Sequence, residues 1–158
     1  MTPSIAQFMR DLEQVWDAHQ HALIQRRDLR AALALLAAEP AITHIPAMTG
    51  GTGRQAVERF YVGQFLPHLP AGLTLRRISR TVDRWRLVDE TTVSFTHDRE
   101  LPWLLPGVEP TFRRAEVLAI AVVAFDRTRI RSQRVLWDHA TLAVQLSITA
   151  PAATAPVR

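Results

Sequence analysis

Residues 85–97 read WRLVDETTVSFTH, and polar and apolar side chains alternate along this stretch. Strand parity places Val93, Phe95 and His97 on one face, and the threonines and the serine between them on the opposite, polar face. Residues 73–78, LTLRRI, have the same period of two, and a turn separates the two stretches. The sequence therefore predicts two adjacent antiparallel strands with one face toward a core.

Three helices are predicted before these strands. Apolar residues recur at helical spacing from Ile5 to Arg27. A second helix follows Asp28 and is expected to stop at Glu39-Pro40, because the residue before a proline is disfavoured in a helix. A short strand over 41–46 and a glycine-rich loop over 48–53 then lead to a third helix, whose expected buried face is Val57, Phe60, Tyr61, Phe65 and Leu66.

The second half of the chain continues with strands after a proline-rich connector over 101–110. A continuous apolar strand is expected over 116–125, and a turn returns the chain through 130–138. Residues 141–148 fit either a final strand or a short helix. These patterns predict further neighbours for the two alternating strands.

Three helices followed by antiparallel strands predict an α+β fold. The helices can bury their apolar faces together only on one face of a curved sheet, and such a layer encloses a pocket. We expect one domain over residues 1–149. Residues 150–158 consist mostly of alanine, proline and threonine and are predicted to form a flexible tail.

Composition argues against several classes of protein. A hydrophobic fraction of 47% and a mean hydropathy of −0.01 fit a globular domain, and they favour neither disorder nor residence in a membrane. All 19 basic residues are arginine, but the net charge is only +4 and the tryptophans are scattered, so we expect no nucleic acid partner. The chain has no cysteine and no metal-ligand spacing of histidines, and we expect no metal and no cofactor. Charged residues within 1–14 interrupt any signal-peptide run, which predicts a cytoplasmic protein.

Several short motifs resemble one superfamily when they are taken in order. Residues 27–36, 42–46 and 53–61 look like the opening of nuclear transport factor 2-like (NTF2-like) proteins, particularly the SnoaL-like polyketide cyclase and isomerase branch. Leu105-Pro106-Gly107 and Trp137-Asp138 are similar to the later part of that branch. The resemblance spans most of the chain.

The resemblance implies a conical α+β barrel, in which the three helices pack on a curved mixed or antiparallel sheet around a mostly apolar cavity. It also implies a homodimer, for which we expect contact through the open sheet face of Thr92, Ser94 and Thr96. Arg76 and Arg80 share a strand parity and are assigned to that dimer sheet. We expect a small, largely apolar ligand that contacts the aromatic residues Trp16, Tyr61, Phe65, Phe95, Trp103 and Trp137.

Asp138 is the first candidate for acid–base catalysis. It ends a strand in the sequence LWDH, where an acid often projects into the cavity in the resembled family. An apolar pocket disfavours the carboxylate and raises its pKa toward the range that suits proton transfer. The alternative is that Asp138 caps the next segment by accepting hydrogen bonds from amides near Thr141.

Two histidines are further candidates. His97 shares a strand face with apolar residues, and His44 shares a parity with Ile42, so both are expected to point toward the core or cavity. A pKa near neutrality suits a general acid or base. The alternative is that each is a structural histidine satisfied by one hydrogen bond. Three other histidines, His19, His21 and His68, are expected at the surface.

The superfamily includes isomerases, cyclases, hydrolases and noncatalytic binding modules, so a fold does not name the reaction. Ile45 stands where ketosteroid isomerases carry their catalytic aspartate, which argues against a steroid-type isomerase. An epoxide hydrolase needs Asp, Arg and Asp converging on a water, and Asp138 and Asp89 with Arg134 or Arg99 supply those residue types.

Two hypotheses of different classes remain. In the first, the chain is a small enzyme of the isomerase, cyclase, hydrolase or lyase type, and Asp138 transfers a proton with His97 or His44. In the second, the same cavity belongs to a noncatalytic module that binds a ligand or a protein partner. A cavity that contains both Asp138 and His97 would favour the enzyme.

Overall fold

The computed structural model describes residues 1–149, and the predicted tail at 150–158 lies outside the described residues. Two π-helical turns, His21–Gln25 and Tyr61–Phe65, continue the first and third α-helices, and a 3₁₀ turn, Leu66–His68, follows the second of them. The described elements are α1 (Ile5–Gln20), α2 (Leu29–Ala34), β1 (Leu36–Ile45), β2 (Thr49–Thr52), α3 (Arg54–Phe60), β3 (Thr74–Val82), β4 (Arg86–Thr96), β5 (Arg114–Asp126), β6 (Arg129–Trp137) and α4 (His139–Leu146).

The six strands form one open mixed sheet in the order β2-β1-β6-β5-β4-β3. β1 and β6 run parallel, and every other neighbouring pair is antiparallel. β3 and β4 are adjacent antiparallel strands, as the period of two predicts. The α+β class is confirmed, with helices on the inner face of a curved sheet.

Side-chain caps define where three of the helices begin. The Ser4 hydroxyl accepts a hydrogen bond from the Gln7 amide at the start of α1, and the Asp28 carboxylate accepts one from the Ala31 amide at the start of α2. Asp138 does the same for α4. A cap satisfies one of the amide groups that the first turn of a helix leaves unpaired.

Two of the sequence-based expectations for these elements are wrong. The second helix ends at Ala34 and not at Glu39-Pro40, because the chain from Leu36 onward pairs with β6. The glycine-rich segment is the edge strand β2 and not a loop. Gly50 (φ +138°) lies against β1, where a Cβ atom would stand 1.9 Å from the Ile42 carbonyl oxygen, so only glycine permits this pairing. Residues 141–148, which fitted a strand or a helix, belong mainly to α4.

The core lies between the helices and the inner face of the sheet. Leu12 and Trp16 of α1 are buried there, and the connector between β4 and β5 adds the buried side chains Leu101, Trp103, Leu104 and Leu105. None of the described helices combines the length and the hydropathy needed to cross a bilayer. The connector and α1 leave a space above the sheet, which is the cavity described next.

Candidate functional site

A cavity of about 210 Å³ lies between α1, the connector and the inner face of the sheet. Ala119 and Ala121 of β5 form part of its wall, and their short side chains leave room in the middle of the sheet. Apolar and aromatic residues line most of the cavity, and the charged side chains gather on the side nearest α1 and β3, whereas His44 lies at the β1 end. The polar lining residues are Asp17, Gln20, His44, Arg77, Arg80, Asp89, Thr91 and Gln133.

The end of the cavity at β1 is aromatic. The His44 ring is enclosed by four aromatic rings, whose centroids lie 5.3–6.2 Å from its own and belong to Phe60, Phe65, Trp103 and Trp137. The Trp103 indole N–H donates to the His68 carbonyl at 3.2 Å, and its own carbonyl accepts from the Thr49 hydroxyl at 2.5 Å. This wall is therefore held in place from two sides.

His44 is a neutral hydrogen-bonding group within this aromatic end. Its side chain is 4% exposed, and burial lowers its pKa to about 3. The Trp137 indole nitrogen lies 3.1 Å from His44 Nδ1, and an indole N–H can only donate. Nδ1 is therefore the acceptor and Nε2 carries the proton. His44 Nε2 is buried and has no hydrogen-bond partner among residues 1–149.

The opposite end of the cavity is charged. Arg80 of β3 binds Asp89 of β4 through Nε at 2.6 Å and Nη2 at 2.8 Å, and it binds Asp17 of α1 through Nη2 at 2.7 Å and Nη1 at 3.2 Å. The Trp16 indole N–H donates to Asp89 Oδ2 at 3.0 Å. The hydrogen bonds that Arg80 donates to Asp89 are the main reason that the pKa of Arg80 is raised, and Arg80 stays cationic. One arginine thus bridges two carboxylates at the cavity wall, and a third, that of Glu13, lies 3.6 Å from Nη1.

A β-bulge places Arg80 inside the fold. The β3–β4 register shifts between Arg77 and Ser79, and after the shift Arg80 pairs with the buried Asp89. The extra residue, Ile78, is 50% exposed. The expectation that Arg80 belongs to the outer dimer sheet is therefore wrong, because one inserted residue reverses the parity of every later residue in the strand.

A chain of neutral polar groups lies behind the cavity wall. The Gln133 amide nitrogen donates to the Tyr61 hydroxyl at 2.9 Å, and the Tyr61 oxygen lies 3.4 Å from His19 Nε2. Gln20 contacts the other His19 ring nitrogen at 3.3 Å. His19 is fully buried, which lowers its pKa to about 4, so its predicted surface position is wrong. The chain orients two glutamines that line the cavity.

Solved structures provide a comparison for this fold and cavity. An NTF2-like protein of unknown function from Burkholderia pseudomallei is 23% identical, with a TM-score of 0.66 over 87% of this chain and 98% of the other. A protein from Jannaschia sp. CCS1, described as a SnoaL-like polyketide cyclase, is 15% identical, with a TM-score of 0.70 over 94% and 97%. The protein has an NTF2-like fold.

The same comparison includes an LEH-like epoxide hydrolase from Mycobacterium tuberculosis. It is 14% identical, with a TM-score of 0.64 over 88% of this chain and 91% of the other. No family model and no curated protein matches the sequence. At these identities the structures establish the NTF2-like fold, and the side chains of the cavity must indicate the chemistry.

Within this NTF2-like fold, Asp138 lies outside the cavity. Its carboxylate is exposed and accepts a hydrogen bond from the Thr141 amide at 3.1 Å. Hydrogen bonds from Thr141 lower its pKa, which is the reverse of the shift that a pocket acid needs. The prediction that Asp138 projects into the pocket is wrong, and its alternative assignment as a helix cap is confirmed.

His97 also lies outside the cavity. It is fully buried, and its Nδ1 accepts a hydrogen bond from the Thr111 amide at 3.2 Å. Burial lowers its pKa despite the nearby Asp98, and its Nε2 has no partner among the described residues. The prediction that His97 and Asp138 share one pocket is therefore wrong. His97 binds Thr111 in the connector between β4 and β5, whereas Asp138 caps α4.

The predicted aromatic residues divide into two groups. Trp16, Phe65, Trp103 and Trp137 line the cavity, as does His44. Tyr61 and Phe95 are fully buried without lining it, because Tyr61 stands behind Gln133 and Phe95 packs in the core. Four of the six expected contacts therefore belong to the cavity surface.

The charged set of Asp17, Arg80 and Asp89 is a feature of the cavity that the sequence-based prediction did not assemble. Asp89 belongs to this set, as the sequence-based hypothesis proposed. The arginine is Arg80 and not Arg134 or Arg99, and the second aspartate is Asp17 and not Asp138. The positions of Trp16 and Asp17 on a helix gave no indication that Trp16 contacts β4 and Asp17 contacts β3, and the bulge concealed Arg80. No group of three or more His, Asp or Glu side chains in residues 1–149 is arranged to hold a metal ion.

Proposed function

We propose that this protein is an enzyme that performs general acid–base chemistry on a small, largely apolar molecule in the cavity. The observation that carries the proposal is the bridging of Asp17 and Asp89 by Arg80 at the wall of a mostly apolar cavity. Buried charges are costly to maintain, and clusters of charged groups in clefts are candidates for functional sites.

The two carboxylates have different roles in this proposal. Both oxygens of Asp89 accept hydrogen bonds from Arg80 or Trp16, and its side chain is only 8% exposed. Asp89 is therefore a positioning residue that holds Arg80 and Trp16. The Asp17 side chain is 57% exposed and bonds to Arg80 on one side, so lone pairs remain free for a proton from a water or a substrate.

The reaction type follows from what an exposed carboxylate beside a fixed guanidinium can do. Asp17 would accept a proton from a water or from a carbon next to a carbonyl, and Arg80 would stabilise the negative charge that develops. Isomerase, cyclase, hydrolase and lyase reactions can each begin with such a step. Hydrolysis of an epoxide is a specific candidate, because two carboxylates and an arginine supply its residue types and an LEH-like epoxide hydrolase has a similar fold.

Two probe reactions test the proposal without knowledge of the natural substrate. Exchange of the α-hydrogens of 1-indanone in D₂O, followed by NMR, measures proton abstraction, and conversion of styrene oxide to its diol measures water activation. Asp17→Asn should lower the accelerated reaction by roughly 100-fold to 10,000-fold, which is the usual contribution of a general base. Asp11→Asn, on the same helix but outside the cavity wall, should leave the rate unchanged.

The noncatalytic alternative predicts a different outcome. If both probe reactions run at the buffer rate and Asp17→Asn changes neither, the enzyme proposal fails and a ligand-binding module is supported. If Asp11→Asn lowers the rate as much as Asp17→Asn, the effect comes from α1 as a whole and Asp17 is not the base.

We also propose that two copies of the chain pair through the outer face of the sheet. Leu118, Ile120 and Val122 of β5 lie on this face and are half-buried, and Val88 and Leu136 beside them are 36% and 39% exposed. Thr92 and Ser94 continue the face along β4. An open sheet face with an apolar centre and a polar rim suits a twofold contact between identical copies.

A further inference from the structure

We infer that His44 serves as a neutral hydrogen-bond donor to a carbonyl oxygen of a planar ligand bound at the aromatic end of the cavity. This inference deepens the proposed function, because it uses the same cavity and names a substrate class for it. It assigns His44 a different role from the general acid or base that a cavity histidine suggests.

The hydrogen-bond partners of His44 determine where its proton lies. The Trp137 indole group donates to Nδ1 at 3.1 Å and cannot accept in return, so the ring hydrogen is on Nε2. Nε2 has no partner within residues 1–149 and is closed to solvent, although other atoms of His44 line the cavity, so a ligand reaches Nε2 when a neighbouring aromatic ring shifts. A buried donor without a partner is unfavourable, so a ligand that brings an acceptor gains from filling this place.

The surroundings of His44 favour a neutral acceptor. Four aromatic rings enclose its ring, and burial holds its pKa at about 3, so the group carries no charge that could attract an anion. His44, Val135, Ala121 and Asp89 form one row across β1, β6, β5 and β4. Three strand spacings therefore separate the backbones of His44 and Asp89, roughly 14 Å. A carbonyl group meets the requirement at His44. The reacting group of the same ligand, a second carbonyl or an epoxide, then lies at the charged end.

The shape of the cavity favours a flat ligand body. Ala119 and Ala121 have short side chains, which leave open space above the sheet between the two ends of the cavity. Phe65, Trp103 and Trp137 provide ring faces around His44. Aromatic rings stack on other planar groups with favourable geometry. The ligand class is thus an aromatic or conjugated ring system that bears a carbonyl group.

A matched pair of probes tests the donor directly. 1-Indanone and indane differ only in a carbonyl group in place of a methylene group, and calorimetry gives the dissociation constant of each. The wild-type protein should bind 1-indanone about 3-fold to 10-fold more tightly, which corresponds to one net hydrogen bond. His44→Phe keeps an aromatic ring and removes the N–H, so the ratio should fall to about one while indane still binds. His21→Phe replaces an exposed histidine outside the cavity and should keep the wild-type ratio.

Two spectroscopic measurements keep the test valid if His44→Phe does not fold. In protein labelled with ¹⁵N-histidine, the one-bond N–H coupling should place the His44 proton on Nε2, and Trp137→Phe should allow both tautomers. The carbonyl stretch of bound 1-indanone should lie below its frequency in a hydrocarbon solvent.

Several outcomes would overturn the inference. They are a proton on Nδ1, equal binding of the two probes, no binding of 1-indanone at its solubility limit, a carbonyl stretch equal to that in hydrocarbon, or an unchanged ratio in His44→Phe. Each is independent of turnover. A protein that accelerates the probe reactions without preferring 1-indanone would retain the proposed function and lose only this inference.

Discussion

Asp17 and Asp89 show how surroundings separate two residues of the same type. Both bind Arg80, but the Asp89 side chain is 8% exposed and the Asp17 side chain is 57% exposed. Replacing one partner of a buried ion pair leaves the other without compensation, so Asp89 and Arg80 are required together. Asp17 remains accessible to water and ligand. The difference in exposure, and not the residue type, makes Asp17 the candidate base.

At the same scale, two buried histidines predict acid sensitivity. Burial lowers the pKa to about 4 for His19 and about 3 for His44, whereas in the unfolded chain both stay near 6.5. Between pH 6.5 and about 4 the unfolded state therefore binds protons that the native state does not, and stability falls as the pH falls. From pH 6.5 to 5 each histidine should lower the free energy of unfolding by about 1.5 kcal/mol. Urea unfolding followed by tryptophan fluorescence measures this loss.

Variants of single histidines assign the pH effect. His19→Gln keeps a polar side chain near Tyr61 and cannot titrate in this range, so it should remove about half of the loss contributed by the two residues. His21→Gln, at an exposed position, should leave the slope unchanged. A free energy of unfolding that is constant between pH 6.5 and 5 would show that His19 and His44 are not buried as neutral groups.

At the scale of elements, Asp138 begins α4 and should act through stability alone. Asp138→Asn should keep the free energy of unfolding nearly unchanged, because asparagine caps a helix about as well as aspartate. Asp138→Ala removes the acceptor for the Thr141 amide and should cost about 0.5–2 kcal/mol. Urea unfolding of the three proteins checks both values. Activity lost in Asp138→Asn at unchanged stability would return Asp138 to the list of catalytic candidates.

Local patterns predicted the elements wherever one residue period ran without interruption. The alternation in residues 85–97 predicts β4 and its pairing with β3, because parity alone decides which face is buried. The boundary between α2 and β1 was not predictable in this way. Leu35 and Leu36 suit a helix equally well, and the strand forms because Leu36 pairs with Ile130, which is far away in the sequence.

The cavity residues were predictable only in part, for the same physical reason. His44 was found because its parity with Ile42 holds throughout the end of β1. Arg80 was missed because the bulge at Ile78 reverses the parity of β3, and a bulge has no sequence signature here. Asp17 was missed because its partner lies on another element. Contacts between elements decide this site, and one sequence does not specify them.

At the scale of the whole molecule, the sheet has two unlike faces. Helices and the connector cover the inner face and enclose the cavity. On the outer face, Leu136 pairs with Ile120, and Val122 pairs with Val88, so exposed or half-buried apolar residues form a continuous patch over three strands. Val144 on α4 is even more exposed, at 78%, but it stands apart from this patch.

The two-faced sheet leads to a prediction about assembly. Light scattering at micromolar concentration should give twice the chain mass of 17.8 kDa, and a wild-type mass of 17.8 kDa would contradict pairing. Leu136→Arg places a charge in the apolar patch and should yield the monomer, because two copies related by a twofold axis bring each new charge into the contact. Val144→Arg adds the same charge to an exposed apolar site outside the patch and should remain a dimer. If Val144→Arg dissociates and Leu136→Arg does not, the copies pair through α4 rather than through the sheet.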